Sequence, residues 1–275
     1  MNRGDLAGLR EWFDGFTAAF STGDRDDLGN IVLKKVHTAN VCRNADRIAL
    51  AEGLDEGGRT LAIAAALFHD LGRFPQYSRF RTFRDSISVN HGVLGADILV
   101  RRRVLDKFPR NEQDSVVAGV RYHNCITVPP EAAAACPALI RLVRDADKID
   151  IWRVFLEYYT APPGERASAV GLGFPDLPRW TPGIPETIFR GEMVRLERVR
   201  TLTDFKLLQL SWVFDLNFPE SFRILAERGY IGGLAATLPA CEELAAAVAA
   251  VREHVRRRCE PAVPSPEKGA DESQR

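Results

Sequence analysis

Apolar residues along this chain recur at intervals of three and four, and runs of alternating β-branched residues are scarce, so the pattern predicts an all-α protein. Leu6, Leu9, Trp12, Phe13, Phe16 and Phe20 mark one face of a helix over 6–20, followed by a polar stretch over 21–27. A second helix is expected over 28–52, ending near Gly53. A third begins near Gly58 and runs to about Leu71, where Gly72 and Pro75 end it. Residues 73–84 interleave Arg73, Arg79, Arg81 and Arg84 with Phe74, Tyr77, Phe80 and Phe83 and read as a loop. Further helices are expected over 88–107, 111–124 and 137–159, the last with Pro137 near its first turn, where a missing N–H costs least. Residues 160–184 are rich in Pro and Gly and read as an irregular connection. Helices over 185–196, 203–229 (broken near Pro219) and 239–258 complete the pattern, and the polar tail from 260 to 275 is expected to be disordered.

The chemistry sits within these helices. His37, His69, His91 and His123 are separated by 32, 22 and 32 residues, each on a different predicted helix or at its end. His37 shares a face with Val41, Ala45 and Ile48, His91 with Gly95 and Ile98, and His123 with Val116 and Val120, so each imidazole is expected to point inward. Asp147 lies on the apolar stripe of Ile140, Val143, Ile151 and Val154, where a lone carboxylate would be expensive. His69 and Asp70 stand side by side at the end of an apolar helix. Four imidazoles and two carboxylates converging on a hydrophobic interior are explained most cheaply by divalent metal, and six ligands suit two ions, with Asp70 able to bridge them. His254, among arginines, reads as part of a solvated face.

Composition adds exclusions. A chain of 275 residues buries a core without disulfide staples. With 37 Lys+Arg against 37 Asp+Glu, bulk nucleic-acid binding is not expected, and attraction for an anion must be local. Five scattered cysteines without a C-x-x-C pair suit a reducing compartment. The longest apolar run, Leu61 to Phe68, is too short for a bilayer, and the N-terminus lacks a signal-peptide core. These features predict a soluble cytoplasmic protein without a membrane partner, and they leave a homo-oligomer open.

The segments Leu-Phe-His69-Asp70-Leu-Gly and Arg-Asp-Ala-Asp147-Lys-Ile-Asp, together with His37, resemble the HD-domain superfamily of metal-dependent phosphohydrolases. The resemblance covers roughly 30–155 and implies an HD-domain helical bundle with additional C-terminal helices. The expected organisation is an N-terminal helix and connection (1–27), the HD metal-binding core (28–159), the irregular connection plus C-terminal helical extension (160–259), and the tail (260–275). In the family the last ligand is the Asp of the second segment, here Asp147 and not Asp145 or Asp150, which helical phase selects independently. The extra pair His91 and His123 is similar to the dinuclear branches, which include cyclic-nucleotide and cyclic-dinucleotide phosphodiesterases. The chain lacks their Gly-Tyr-Pro signature and carries Arg73 where the cyclic-dinucleotide enzymes have Lys.

The resemblance thus implies two divalent metals (iron, manganese or another transition metal) held by His37, His69, Asp70, His91, His123 and Asp147. It implies hydrolysis of a phosphoester, in a nucleotide or other small phosphorylated substrate, by a hydroxide that bridges them. Asp70, Arg73 and Lys148 are the expected catalytic groups. Arg73, Arg79, Arg81 and Arg84 are expected to bind the phosphorylated substrate, with Phe74, Tyr77, Phe80 or Phe83 available to stack on a base. Asp145 and Asp150 read as support for the ligands or as ion pairs. The same ligand set is also similar to the mixed-valence diiron oxygenases of the superfamily, which cleave a C–C or C–P bond. A third reading is a binding module with a structural metal.

Overall fold

The computed structural model describes residues 1–21, 25–125, 127–130 and 136–260, and among them every regular element is helical. Helix α1 (Arg3–Ala18) begins at a capping box, in which the Asn2 side chain accepts from Asp5 N and the Asp5 side chain accepts from Asn2 N. Its Leu6, Leu9 and Phe13 are buried, and Phe13 packs edge-on to Phe74 at 5.7 Å between centroids. Helices α2 (Arg25–Ala51), α3 (Glu56–Phe68), α5 (His91–Arg101), α6 (Arg110–Tyr122) and α7 (Pro137–Thr160) form the bundle, with α3 packed against α1, α2, α6 and α7. Ala62, Ala64, Ala65 and Ala66 are fully buried on α3, and their small side chains let four neighbours approach one helix.

Two glycines set close approaches of backbone to backbone. A Cβ at Gly72 would lie 2.2 Å from the His91 carbonyl oxygen, and one at Gly92 would lie 2.8 Å from Asn124 Oδ1 and 2.9 Å from the Arg121 carbonyl oxygen. Only hydrogen fits at either place. Through these contacts the end of α3, the start of α5 and the end of α6 meet at one point.

The segment expected to be a loop contains helix α4 (Arg73–Phe80). Pro75 falls in its first turn, where no N–H partner is required, so it opens a helix instead of breaking one. The helix ends at Arg81, in the left-handed conformation with φ 55°. Helix α5 starts later than expected because Asn90 caps it, accepting from Val93 N at 3.0 Å, and it ends earlier, just ahead of Arg103 with φ 57°.

Beyond α7 lie α8 (Ile184–Phe189), α9 (Leu202–Ser211), α10 (Pro219–Glu227), α11 (Tyr230–Ala235) and α12 (Glu242–Cys259). Pro219 opens α10 at its first position, and Gly191, with φ +72°, follows the short α8. The extension is fixed to the bundle at the buried Asp145 on α7, whose carboxylate accepts from Asn217 N, Asn217 Nδ2, Phe218 N and Ser221 Oγ at 2.7–3.1 Å. Arg47 on α2 adds ion pairs to Glu220 and Glu227 of α10. His254 on α12 is half-buried between Phe214 and Phe222, not on a solvated face, and burial lowers its pKa. The tail expected to be disordered lies, after Glu260, outside the described residues. No helix among the described residues is long and apolar enough to cross a membrane.

Candidate metal centre

Six buried or nearly buried side chains from α2, α3, α5, α6 and α7 meet where the two glycines let the backbones close. His37 projects from the middle of α2, His69 and Asp70 follow the last turn of α3, His91 starts α5, His123 follows α6, and Asp147 stands on α7. His69 Nε2 lies 3.2 Å from His37 Nε2, and His91 Nε2 lies 3.0 Å from His123 Nε2. Asp147 Oδ1 is 3.0 Å from His37 Nε2 and 3.6 Å from His69 Nε2. Asp70 sits between the two pairs: its Oδ2 is 3.5 Å from both His37 and His69 Nε2, and its Oδ1 is 3.3 Å from His91 Nε2.

The outer nitrogens explain the inward ones. His69 Nδ1 donates to the Ala66 carbonyl and His123 Nδ1 to the Val120 carbonyl, each at 2.7 Å. A carbonyl only accepts, so both Nδ1 atoms carry hydrogen and a neutral ring leaves Nε2 as a lone pair. His37 Nδ1 meets Asp150 Oδ2 and His91 Nδ1 meets Asp85 Oδ2, again at 2.7 Å. Lone pairs facing each other at about 3 Å repel unless a cation stands between them, and carboxylate-backed or carbonyl-backed imidazoles are the usual setting for one. His37, His69 and Asp70 could hold one metal ion, and Asp70, His91 and His123 another.

The electrostatics at His91, His123, Asp70 and Asp147 agree with this donor set. Burial, together with the neighbouring His91 and His69, pushes His123 down to about 3, and burial with Arg73 lowers His91, so both stay neutral and free to donate a lone pair. Burial also presses on His37, and there the hydrogen bonds to Asp147 and Asp150 prevail and raise it. Burial alone would favour neutral Asp70, yet Lys34, His69, Arg73 and His91 hold its carboxyl well below the ordinary range. Asp147 is likewise held down, by His37 and His69.

Cations surround the cluster. Lys34, one turn before His37 on α2, places Nζ 2.7 Å from Asp70 Oδ2, and periodicity alone gave it no role. Arg73 Nε lies 3.3 Å from Asp70 Oδ1, while its Nη1 donates to Gln76 Oε1 and Asp85 Oδ1. Lys148 pairs with Asp215 from the extension, which also accepts from Arg144 at 2.7 Å. Lys34, Arg73, Lys148 and Arg144 all line a cavity of about 250 Å³ at the cluster, with Asp70, Asp147, His91 and His123.

Arg79, Arg81 and Arg84 are not brought to this cavity. Arg79 lies over the Phe80 ring, Arg81 is paired with Asp27, and Arg84 Nη1 reaches the Leu172 carbonyl at 3.4 Å. Of the aromatics in that segment, Phe74 is in the core against Phe13, and Tyr77 is buried with its hydroxyl bonded to Asp27 and Asn30. Phe83 lines a second, larger cavity of about 710 Å³ that continues from the cluster. Asp150 supports His37, whereas Asp145 serves the extension.

Comparison with known proteins agrees with this geometry. A family model described as HD domain matches residues 36–152, from one residue before His37 to two beyond Asp150. No curated protein and no solved structure matches the chain.

Proposed function

From the match of residues 36–152 to a family model described as HD domain, we propose that the chain is a metal-dependent hydrolase that cleaves a phosphoester of a small substrate with two divalent metals. In this reading His37, His69 and Asp147 hold one ion, His91 and His123 the other, and Asp70 serves both. The observation that carries it is Asp70, whose two oxygens face two different histidine pairs from 3.3 to 3.5 Å away. Metals bound there would supply hydroxide at neutral pH and polarise a phosphoryl oxygen.

The chain's own groups do the rest. Asp150, Asp85 and the carbonyls of Ala66 and Val120 fix the imidazoles in one tautomer and orientation. Arg73 is clamped by Gln76 and Asp85 and so presents a fixed charge beside the reacting phosphate. Lys148, held by Asp215, faces the same space from α7. Lys34 neutralises Asp70, and where metal charge took over that task its ammonium would be free to meet a phosphate oxygen. Replacing Lys34 with Ala should lower kcat/KM about 10–100-fold with metal content unchanged. Metal loss in that variant would give Lys34 a structural role instead.

The direct test is elemental analysis of the purified protein, followed by a screen of phosphomonoesters, nucleotides and cyclic dinucleotides with and without oxygen. We expect about two equivalents of metal per chain and oxygen-independent release of product. Strictly oxygen-dependent product formation would assign the site to the diiron oxygenases.

A further inference from the structure

The space beyond the metal cluster has a polarity that the cluster itself does not explain. Lys34, Arg73, Ile151, Met193 and Trp212 line both the small cavity at the ligands and the larger one of about 710 Å³, so the two are continuous. Away from the ligands the larger cavity is walled by Val154, Ala169, Val170, Val194, Phe205 and Leu208, all at least nine-tenths buried. Apart from the cationic groups and His37 at the ligand end, and Trp212, which lines both cavities, the polar side chains that line it among the described residues are Thr127, Arg195 and Glu197, and all three are exposed. A nucleoside would bring ribose hydroxyls and base edges to walls whose buried side chains, among the described residues, are apolar away from the ligand end, which is costly. A hydrocarbon meets no such cost, and the volume lies within the range that encloses a ligand of moderate size.

We propose that the substrate is the phosphate ester of an apolar alcohol, with the phosphate at the metal cluster and the hydrocarbon body in the larger cavity. This rests on the hydrolysis proposed above. Water adds its oxygen to phosphorus, the ester P–O bond breaks, and the leaving alkoxide takes up a proton, giving the free alcohol and inorganic phosphate. Nothing is oxidised or reduced. The walls come from both halves of the chain, Val154 from α7 and Val194, Phe205 and Leu208 from the extension, so the extension would select the substrate.

The test uses full-length, metal-loaded protein with methyl, butyl and octyl phosphate below micelle-forming concentration, and AMP as the nucleotide probe. We expect kcat/KM to rise about fourfold per added methylene until the cavity fills, for a gain of about a hundredfold or more from methyl to octyl. We also expect octylphosphonate, which is not hydrolysed, to bind at least about tenfold more tightly than methylphosphonate by calorimetry. Leu172→Asp should reduce both ratios, and Leu196→Asp, at a position 52% exposed at the mouth, gives a second test should Leu172→Asp fail to fold. Hydrolysis of methyl phosphate with no gain on lengthening, or faster turnover of AMP than of octyl phosphate, overturns this inference and leaves the hydrolase reading intact. If no ester is hydrolysed, the hydrolase reading fails and the phosphonate ratio decides the inference alone: tighter octyl binding supports an apolar occupant, and equal binding overturns it.

Discussion

Asp70→Ala is expected to yield a folded protein that retains no metal and turns over phosphoesters at background. The reason lies in the position of that carboxylate: among the described residues it is the one carboxylate whose atoms lie within 3.5 Å of Nε2 atoms in both histidine pairs. Its removal leaves four imidazole lone pairs and the Lys34 and Arg73 cations facing one another without an anion among them, apart from Asp147 at one end. A cavity with that charge repels a divalent ion, and a hydrolase that depends on its metal loses most of its rate, about a thousandfold or more. Elemental analysis and phosphate release read the two effects separately. An Asp70→Ala protein that retained two metals and full turnover would refute the dinuclear mechanism.

The second large effect is on folding. Asp145→Ala should destabilise the protein by about 3–5 kcal/mol, measured by urea denaturation, because it strands four donors at once. Asn217 N, Asn217 Nδ2, Phe218 N and Ser221 Oγ all converge on this buried carboxylate. Two of these donors are the backbone N–H groups of Asn217 and Phe218, immediately ahead of α10, so the same change releases the segment that leads into that helix. A loss below about 1 kcal/mol would mean that Arg47 with Glu220 and Glu227 suffices to hold the extension.

The all-α architecture was legible in the sequence because its signal is local. Apolar residues three and four apart reported the faces of α1, α2, α3, α6 and α7, and the same periodicity singled out Asp147 among three nearby acids. The misreadings came from context outside a single helix. Pro75 carries the same residue label whether it ends α3 or sits in the first turn of α4, and only the chain reversal at Leu71–Gly72 decides which. Lys34 sits one turn from His37 on the same helix, but its importance depends on Asp70, 36 residues away. The same holds for Asp85 beside His91 and for Asp215 beside Lys148, since neither pairing has a periodic trace. Arg79, Arg81 and Arg84 were expected at the substrate because they are near His69-Asp70 in sequence. Helix α4 takes them elsewhere, and Arg84 instead reaches the backbone of Leu172 in the wall of the larger cavity.

Helix α7 carries Asp145, Asp147 and Asp150 within six residues, and each turns to a different neighbour: Ser221 on α10, the histidines at the ligand cluster, and the back of His37. At about 100° per residue these directions are set by rotation alone. The helix therefore behaves as an indexed shaft, on which a single inserted residue ahead of Asp145 would swing all three carboxylates off their targets together. Point substitutions along the exposed side of α7 should be absorbed with little consequence, whereas a change of one residue in its length should not.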